Sequence, residues 1–466
     1  MLIGMYCADS IIEKLLKQER TYYMAAEAFM QGAKLLVFSV KDVDFNNKTV
    51  TSYTRENNSW VRVTTPFPDV MINVYTDLKE GLKEEFMLRA EIPFTSHFVS
   101  AKKAFFHQIK EAGQFDSLLI PYASVKSIGA IDEYLTKYKK VIVKPSIGAR
   151  GLGIYQISGT FDRYILRDNK KTHKLDRHNL KKIVDDFIDK GYLVQPYMEC
   201  RTSMDEPFDF RIHIQKDGQG AWQITRMYAR IGAKGSVLSN ISQGGLSCDI
   251  DYFLKVEYGE RASYWKDKLE TLSFDIAKHI EEIYMQSFDE FGIDLAIDKD
   301  ENIWLYEVNS GPQTKYHEPQ RARHIIAYAR YIAKNYKGNN KEILVSLANR
   351  ITDGLESIKD DLTIKDDLTV KDDQTIRVKL LIQTMRHMMG IIESFGILEQ
   401  RLKSKVSDYE RSSIYTVTEA IKEQFGRLVM TYEKNDRNEA ISLVKKLLES
   451  LLPEWLSEMK NISIGG

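Results

Sequence analysis

The chain has 466 residues, and its 66 Lys plus Arg balance its 66 Asp plus Glu, so it carries no global basic field to recruit nucleic acid. That length holds roughly two to four domains, and three widely spaced cysteines, Cys7, Cys200 and Cys248, favour reduced thiols over a disulfide framework or a zinc site. The first ten residues lack a basic n-region and no run reaches the ~20 apolar residues that span a bilayer, so a cytoplasmic chain without membrane insertion is expected.

The first 97 residues alternate strand-like patterns at 2–7, 34–40 and 70–74 with a helical pattern at 22–31, as a small α/β domain does. A helix is expected from Ser100, with Ser100 as its cap and Phe105, Phe106 and Ile109 on one stripe. Residues 141–144 read as an apolar strand that passes through Lys144 into the turn Ser146 to Gly153, with a second strand after it. Glycines let backbone N–H groups approach an anion closely, and Lys144 adds a point charge suited to phosphate. The turn is neither a Walker A loop, since GK[ST] is absent, nor a dinucleotide fingerprint, since a strand follows it. A glycine hairpin also serves as a plain turn, so it needs support elsewhere.

A charged helical stretch at 180–190 precedes a strand at 192–195 that meets Pro196. Pro196 has no N–H, so an adenine edge would be read by backbone groups of Tyr197 or Met198; a buried strand leaving a sheet explains the segment equally well. Strands at 209–215 and 222–229 carry Arg211, Arg226 and Arg230, which are either solvated or present guanidinium forks to phosphate or carboxylate. The small-residue loop Asn240-Ile-Ser-Gln-Gly244-Gly245 closes on a substrate or merely turns. A long helix at 266–291 then delivers the chain to its most informative stretch.

Residues 292–298 and 303–309 alternate apolar and polar positions around a polar turn, the pattern of a β-hairpin. With the turn centred between Asp300 and Glu301, Asp294 falls opposite Glu307, and Asn309 projects from the same face. Two carboxylates about 4 Å apart repel by roughly 4 kcal/mol at an effective dielectric near 20, which packing without a counter-charge leaves unexplained. A hard cation answers the repulsion. Two carboxylates and an amide oxygen, completed by water and phosphate, suit Mg²⁺; the bland alternative is an amphipathic hairpin with a solvated acidic face.

Beyond residue 340 the character changes. Three hexapeptides begin at Ile358, Ile364 and Val370, with a period that fits neither a helix nor a strand, and read as a charged spacer. Apolar periodicity at 378–403, 408–432 and 438–459 predicts three amphipathic helices, a bundle or docking module open to self-association or a protein partner. Met385, Met388 and Met389 fit core positions.

In this order, Lys103, Lys144 with its glycine loop, the segment from Gln195 to Glu199, Asp209-x-Arg211, Arg230, Asn240, Asp294 and Glu307-x-Asn309 resemble the ATP-grasp superfamily. The Lys-Pro-Ser-x-Gly-Ala-Arg-Gly-x-Gly loop, Phe-Asp-Phe-Arg, and Glu-Val-Asn-Ser-Gly-Pro are similar to its YheC/YheD branch, called endospore coat-associated, over residues 1 to about 335. The branch tends to show Asn-Arg where this chain has Asn73-Val74.

The resemblance implies an α+β ATP-grasp fold: an N-terminal α/β pre-ATP-grasp domain (1–97), an ATP-grasp domain of two lobes clasping ATP (98–337), a repeat-containing linker (338–376) and a C-terminal all-α helical region (377–466). It implies that Lys103 (or Lys102), Lys144, Ser146, Gly148, Arg150, Gly151 and Gly153 hold the phosphates, and that Gln195, Tyr197, Met198 and Glu199 hold the base. Asp294, Glu307 and Asn309 would bind Mg²⁺; Arg211, Arg230 and Lys144 would be catalytic; Arg230, Asn240, Gly244 and Gly245 would meet substrate. The implied activity is an ATP-dependent carboxylate-amine or carboxylate-thiol ligase acting through an acyl phosphate on a peptide, amino acid, or cell-envelope or spore metabolite. A kinase acting on a hydroxyl and a non-catalytic, spore-associated ATP-binding protein are the alternatives.

Overall fold

The computed structural model describes residues 1–72, 82–97, 106, 108–110, 112–145, 152–160, 162–168, 171–239, 241, 244–284, 286–312, 317–335, 413–433, 437–451 and 453–455. Three sheets organise them. In the first, β1 (Leu2–Cys7), α1 (Glu19–Met30) and β2 (Lys34–Ser39) form a parallel crossover unit. The hairpin of β3 (Thr49–Glu56) and β4 (Ser59–Pro66) joins the β2 edge, and β5 (Val70–Ile72) runs parallel to β1 on the other side. That hairpin escaped the sequence reading, although Asn57 and Asn58, at φ 46° and 64°, are the residues a primed two-residue turn selects. Helix α2 (Leu82–Glu91) follows.

The second sheet runs β9-β8-β7-β6-β10 and ends in the short strand Ala123–Ser124 beside β10; its longer strands are β6 (Lys140–Pro145), β7 (Tyr155–Thr160), β8 (Arg163–Arg167), β9 (Thr172–Leu175) and β10 (Tyr192–Pro196). Helices α3 (Ile128–Tyr138) and α4 (Arg177–Asp189) cover one face, burying Ile131, Leu135, Leu180, Val184 and Phe187 against Val141, Val143 and Val194. Asp176 caps α4 by accepting from the Asn179 N–H.

The third sheet positions the site. Its order is β13-β12-β11-β14-β15: β11 (Phe208–Lys216), β12 (Trp222–Ile231), β13 (Leu246–Asp249), β14 (Glu290–Ile297) and β15 (Ile303–Asn309). Helices α5 (Ile250–Tyr258) and α6 (Ala262–Tyr284) take its apolar face, where Phe210, Ile212, Phe291, Ile293 and Leu295 meet Trp265, Leu269, Ile276 and Ile280. The expected helix at 266–291 therefore ends at Tyr284, because the alternation Phe291, Ile293, Leu295, Ile297 has period two and is paired in the sheet.

Helix α7 (Glu318–Asn335) returns to the first sheet, packing Ala322, Ile325, Ile326 and Ala329 into the core that holds Ile3, Met5, Met24 and Ala28. Farther on, α8 (Ser413–Glu433) and α9 (Arg437–Lys446) pack together, and buried Trp455 donates to Thr418 Oγ1 at 3.0 Å. The expected helix at 378–403 and the hexapeptides lie outside the described residues. No described helix is long and apolar enough to cross a membrane.

Candidate functional site

The other face of the third sheet is polar along β11, because period-two side-chain alternation puts Asp209, Arg211, His213 and Gln215 on the side opposite Phe210, Ile212 and Ile214. Cross-strand register arranges that face in rows. One row reads Tyr228, Arg211, Asp294, Glu307; the next reads Arg226, His213, Gly292, Asn309; Gln215 and Glu290 follow. The expected pairing of Asp294 with Glu307 is present, but by a different route. The turn centres on Asp300, as the Ile297 to Ile303 pair requires, and a bulge at Tyr306 adds the residue that brings Glu307 level with Asp294.

The carboxylate repulsion expected to call for a cation is answered in part by counter-charges on the same face. Arg211 Nε and Nη2 donate to Asp294 Oδ1 and Oδ2, and Arg230 Nη2 stands 2.9 Å from Oδ2. Arg230 also forks onto Asp209 at 2.6 and 2.8 Å, where Ser239 Oγ donates at 2.8 Å. Burial alone would raise the Asp294 pKa; Arg230 and Arg211 overcome it and hold the carboxyl below its ordinary value. Burial likewise opposes the charge on Arg230, and Asp209 and Asp294 push its pKa well above the usual arginine value. Both catalytic arginines expected from sequence are thus engaged in ion pairs.

A carboxylate offers about four lone-pair positions, and three of those on Asp294 face guanidinium N–H groups. One remains. With Glu307 and the Asn309 amide beside it, the donor set still fits a hard cation that takes one or two carboxylates and leaves its other positions to water and phosphate. Among the described residues no group of three His, Cys, Asp or Glu is arranged to hold a metal ion, and the expected trio supplies only two such side chains.

A cavity of about 790 Å³ lies between the second and third sheets. Lys144, Gln195, Tyr197 and Met198 enter it from one side, and Asp209, Arg230, Asp294 and Glu307 from the other. Arg211, Asn309 and Glu199 are not among its lining; Glu199 instead accepts from Lys140 Nζ at 2.6 Å. The Tyr197 N–H donates to the Lys140 carbonyl at 3.0 Å and the Met198 carbonyl accepts from Cys200 N–H at 2.9 Å, so two of the backbone groups considered for base reading are already bonded. Gly153 has a packing reason for being glycine: at φ 72°, a Cβ there would lie 2.7 Å from Tyr192 Oη. Gly244, at φ 96°, and Gly245 stand before β13 and do not line the cavity. Lys102, Lys103, Ser146, Gly148, Arg150, Gly151, Asn240 and Val74 lie outside the described residues.

Sequence reading assigned no role to Ser239, Tyr306, Cys200 or Phe208, all of which line the cavity. Tyr306 Oη bonds Cys200 Sγ at 3.2 Å, and burial pushes the Cys200 thiol up to about 12. The bulge that aims Tyr306 inward has no sequence signature, since alternation predicts an outward residue there.

The family model described as YheC/D like ATP-grasp matches residues 91–333. The endospore coat-associated protein YheD of Bacillus subtilis is 24% identical over 366 residues, 72% of this chain and 79% of that protein. YheC of the same organism is 26% identical over 213 residues, 43% of this chain and 58% of that protein. Among solved structures, D-alanyl-alanine synthetase A from Vibrio cholerae aligns with a TM-score of 0.43 and 13% identity, over 75% of this chain and 98% of that one. With the match covering the second and third sheets and the cavity between them, the chain belongs to the YheC/D-like ATP-grasp family.

Proposed function

We propose that this chain is an ATP- and Mg²⁺-dependent ligase that activates a carboxylate as its acyl phosphate and passes it to an amine. The observation that carries the reading is the Asp294–Glu307 pair facing a cavity that also receives Lys144, Gln195 and Arg230. The base would sit between the sheets near Gln195 and Met198, both of which line the cavity. Lys144 would meet the phosphates, with the 146–153 loop and Lys103 beside them. Asp294, Glu307 and Asn309 would hold Mg²⁺, which supplies charge neutralisation at the phosphates. Arg230 and Arg211, fixed by Asp209 and Asp294, present preorganised positive charge without side-chain reorganisation. Catalysis is then positioning and charge, with no protein nucleophile. Asn240, Gly244 and Gly245 would meet the acceptor. YheD and YheC are named for the endospore coat, so spore and envelope carboxylates, peptides among them, are the first acceptors to try.

Calorimetry with AMP-PNP and Mg²⁺ tests the site, and hydroxylamine tests the chemistry. An acyl phosphate is intercepted as a hydroxamate, and one label from a carboxyl-¹⁸O acceptor appears in phosphate. A phosphorylated product that resists hydroxylamine and leaves phosphate unlabelled would make the chain a kinase. Nucleotide binding without turnover across spore-extract acceptors would make it a non-catalytic binder.

A further inference from the structure

Beyond the cavity, the polar face continues into a buried relay that the ligase reading does not use. Glu290 is gripped by Arg321 of α7, whose Nε donates to Oε2 at 2.7 Å and whose Nη2 donates to Oε1. His213 Nε2 stands 3.2 Å from Glu290 Oε2, and His213 Nδ1 stands 2.9 Å from His317 Nε2. His213 and His317 are each 1% exposed.

The partners fix the tautomers. Burial and then Arg321 act in opposite directions on Glu290, and Arg321 prevails, keeping it a carboxylate that can only accept. His213 Nε2 must therefore carry the proton. Burial lowers the His213 pKa to about 4, so the ring is neutral near pH 7, its Nδ1 accepts, and His317 Nε2 must be the donor. The other charged or titratable groups of this region are Arg211 on β11, Arg226 and Tyr228 on β12, Asp289 and Asp294 on β14 and its approach, Glu318 on α7 and Arg20 on α1.

We propose that Glu290, His213 and His317 form a positioning relay that seats the start of α7 on the sheet row carrying Gly292 and Asn309, and so holds the Asn309 side of the metal face in register. His213 is paired with Gly292, and Gly292 with Asn309. Gly292 leaves the notch in which Pro312 sits, since a Cβ there would lie 2.6 Å from Pro312 Cβ. Arg20 Nη2 donates to the Pro312 carbonyl at 3.1 Å and Arg20 Nε stands 3.7 Å from Glu318, so the N-terminal sheet unit closes on the same point. Breaking a hydrogen bond made directly to a metal ligand changes affinity by about 10–100-fold; the relay reaches Asn309 only through the strand register, so the low end of that range is expected. The metal part of the inference rests on the Mg²⁺–nucleotide reading of the site; the tautomer chain does not.

Two measurements on the full chain test it. In ¹⁵N-histidine spectra assigned with His213→Phe and His317→Leu, His213 should be a neutral Nε2–H tautomer near pH 7 and His317 should carry a proton on Nε2; a His317 ring protonated only at Nδ1 overturns the relay. Calorimetry with AMP-PNP, with and without Mg²⁺, should show His317→Leu losing about tenfold of the Mg²⁺-dependent affinity while metal-free affinity holds. His317→Gln, whose Nε2 can donate the same bond, should keep the Mg²⁺ gain. If Gln fails as badly as Leu, or Leu matches wild type, the positioning role falls. If wild type gains no affinity from Mg²⁺, the metal reading of the site and the positioning role fall together, and the spectra still decide the tautomer chain.

Discussion

Glu307 and Asp294 face each other, yet they should respond differently to neutralisation. Asp294 holds two arginines, so Asp294→Asn leaves buried guanidinium charge behind and should cost about 3–5 kcal/mol of stability, read as a shifted denaturation midpoint. Glu307→Gln keeps that network and should weaken Mg²⁺-dependent AMP-PNP binding with little change in stability. Unchanged Mg²⁺ dependence in Glu307→Gln by calorimetry would remove Glu307 from the metal site. Two other buried residues oppose each other in pH. Burial and then Glu290 raise the Asp289 pKa to about 7, so its contribution to stability is present below about 4 and is lost as pH rises through 7. His213, lowered to about 4, contributes above about 6.5 and loses that contribution as pH falls toward 4. The two slopes partly cancel between pH 4 and 7. Asp289→Asn should remove one of them, raising stability above pH 7 and exposing a decline on acidification of roughly 1.4 kcal/mol per pH unit at its steepest; urea midpoints across pH 4 to 8 check this.

At the level of elements, what could be read in the sequence was whatever repeats with a period. The strands at Leu2–Cys7, Lys140–Pro145 and Tyr192–Pro196 show as short apolar runs, and both arms of the 290–309 hairpin show in their alternation. Asp294, Glu307 and Asn309 share a face as expected, but through the Tyr306 bulge rather than through the expected turn centre. Pairing partners were not: Arg211 to Asp294 spans 83 residues, and no local pattern marks a guanidinium as the counter-charge of so distant a carboxylate. β8 and β9 were missed because Arg163–Arg167 and Thr172–Leu175 are short and polar at their ends. Gly292 gives the element-scale test. Its φ is ordinary, so Gly292→Ala probes space alone. With Pro312 in the way, it should cost about 1–3 kcal/mol and weaken Mg²⁺-dependent nucleotide binding; a neutral denaturation midpoint would show that Pro312 can give way.

On the scale of the whole molecule, α7 decides which truncations survive. A chain ending near Lys341 retains α7, and we expect it to fold and bind ATP without the C-terminal helices. One ending at Pro312 loses Ala322, Ile325, Ile326 and Ala329 from the N-terminal core and should be insoluble. Solubility and AMP-PNP affinity of the two chains check both expectations; loss of affinity in the longer one would place the C-terminal region within the binding unit.

The same helix sets a timetable. Met24 and Ala28 near the start of the chain share a core with Ile325 and Ala329, so the first sheet leaves the ribosome about 300 residues before the helix that covers it. At synthesis rates of about 5–20 residues per second, its apolar face waits some fifteen seconds or more uncovered, long compared with chain collapse. The N-terminal unit is begun first and completed only when α7 arrives, and any step that stalls translation before α7 emerges lengthens the time that face is open to other chains.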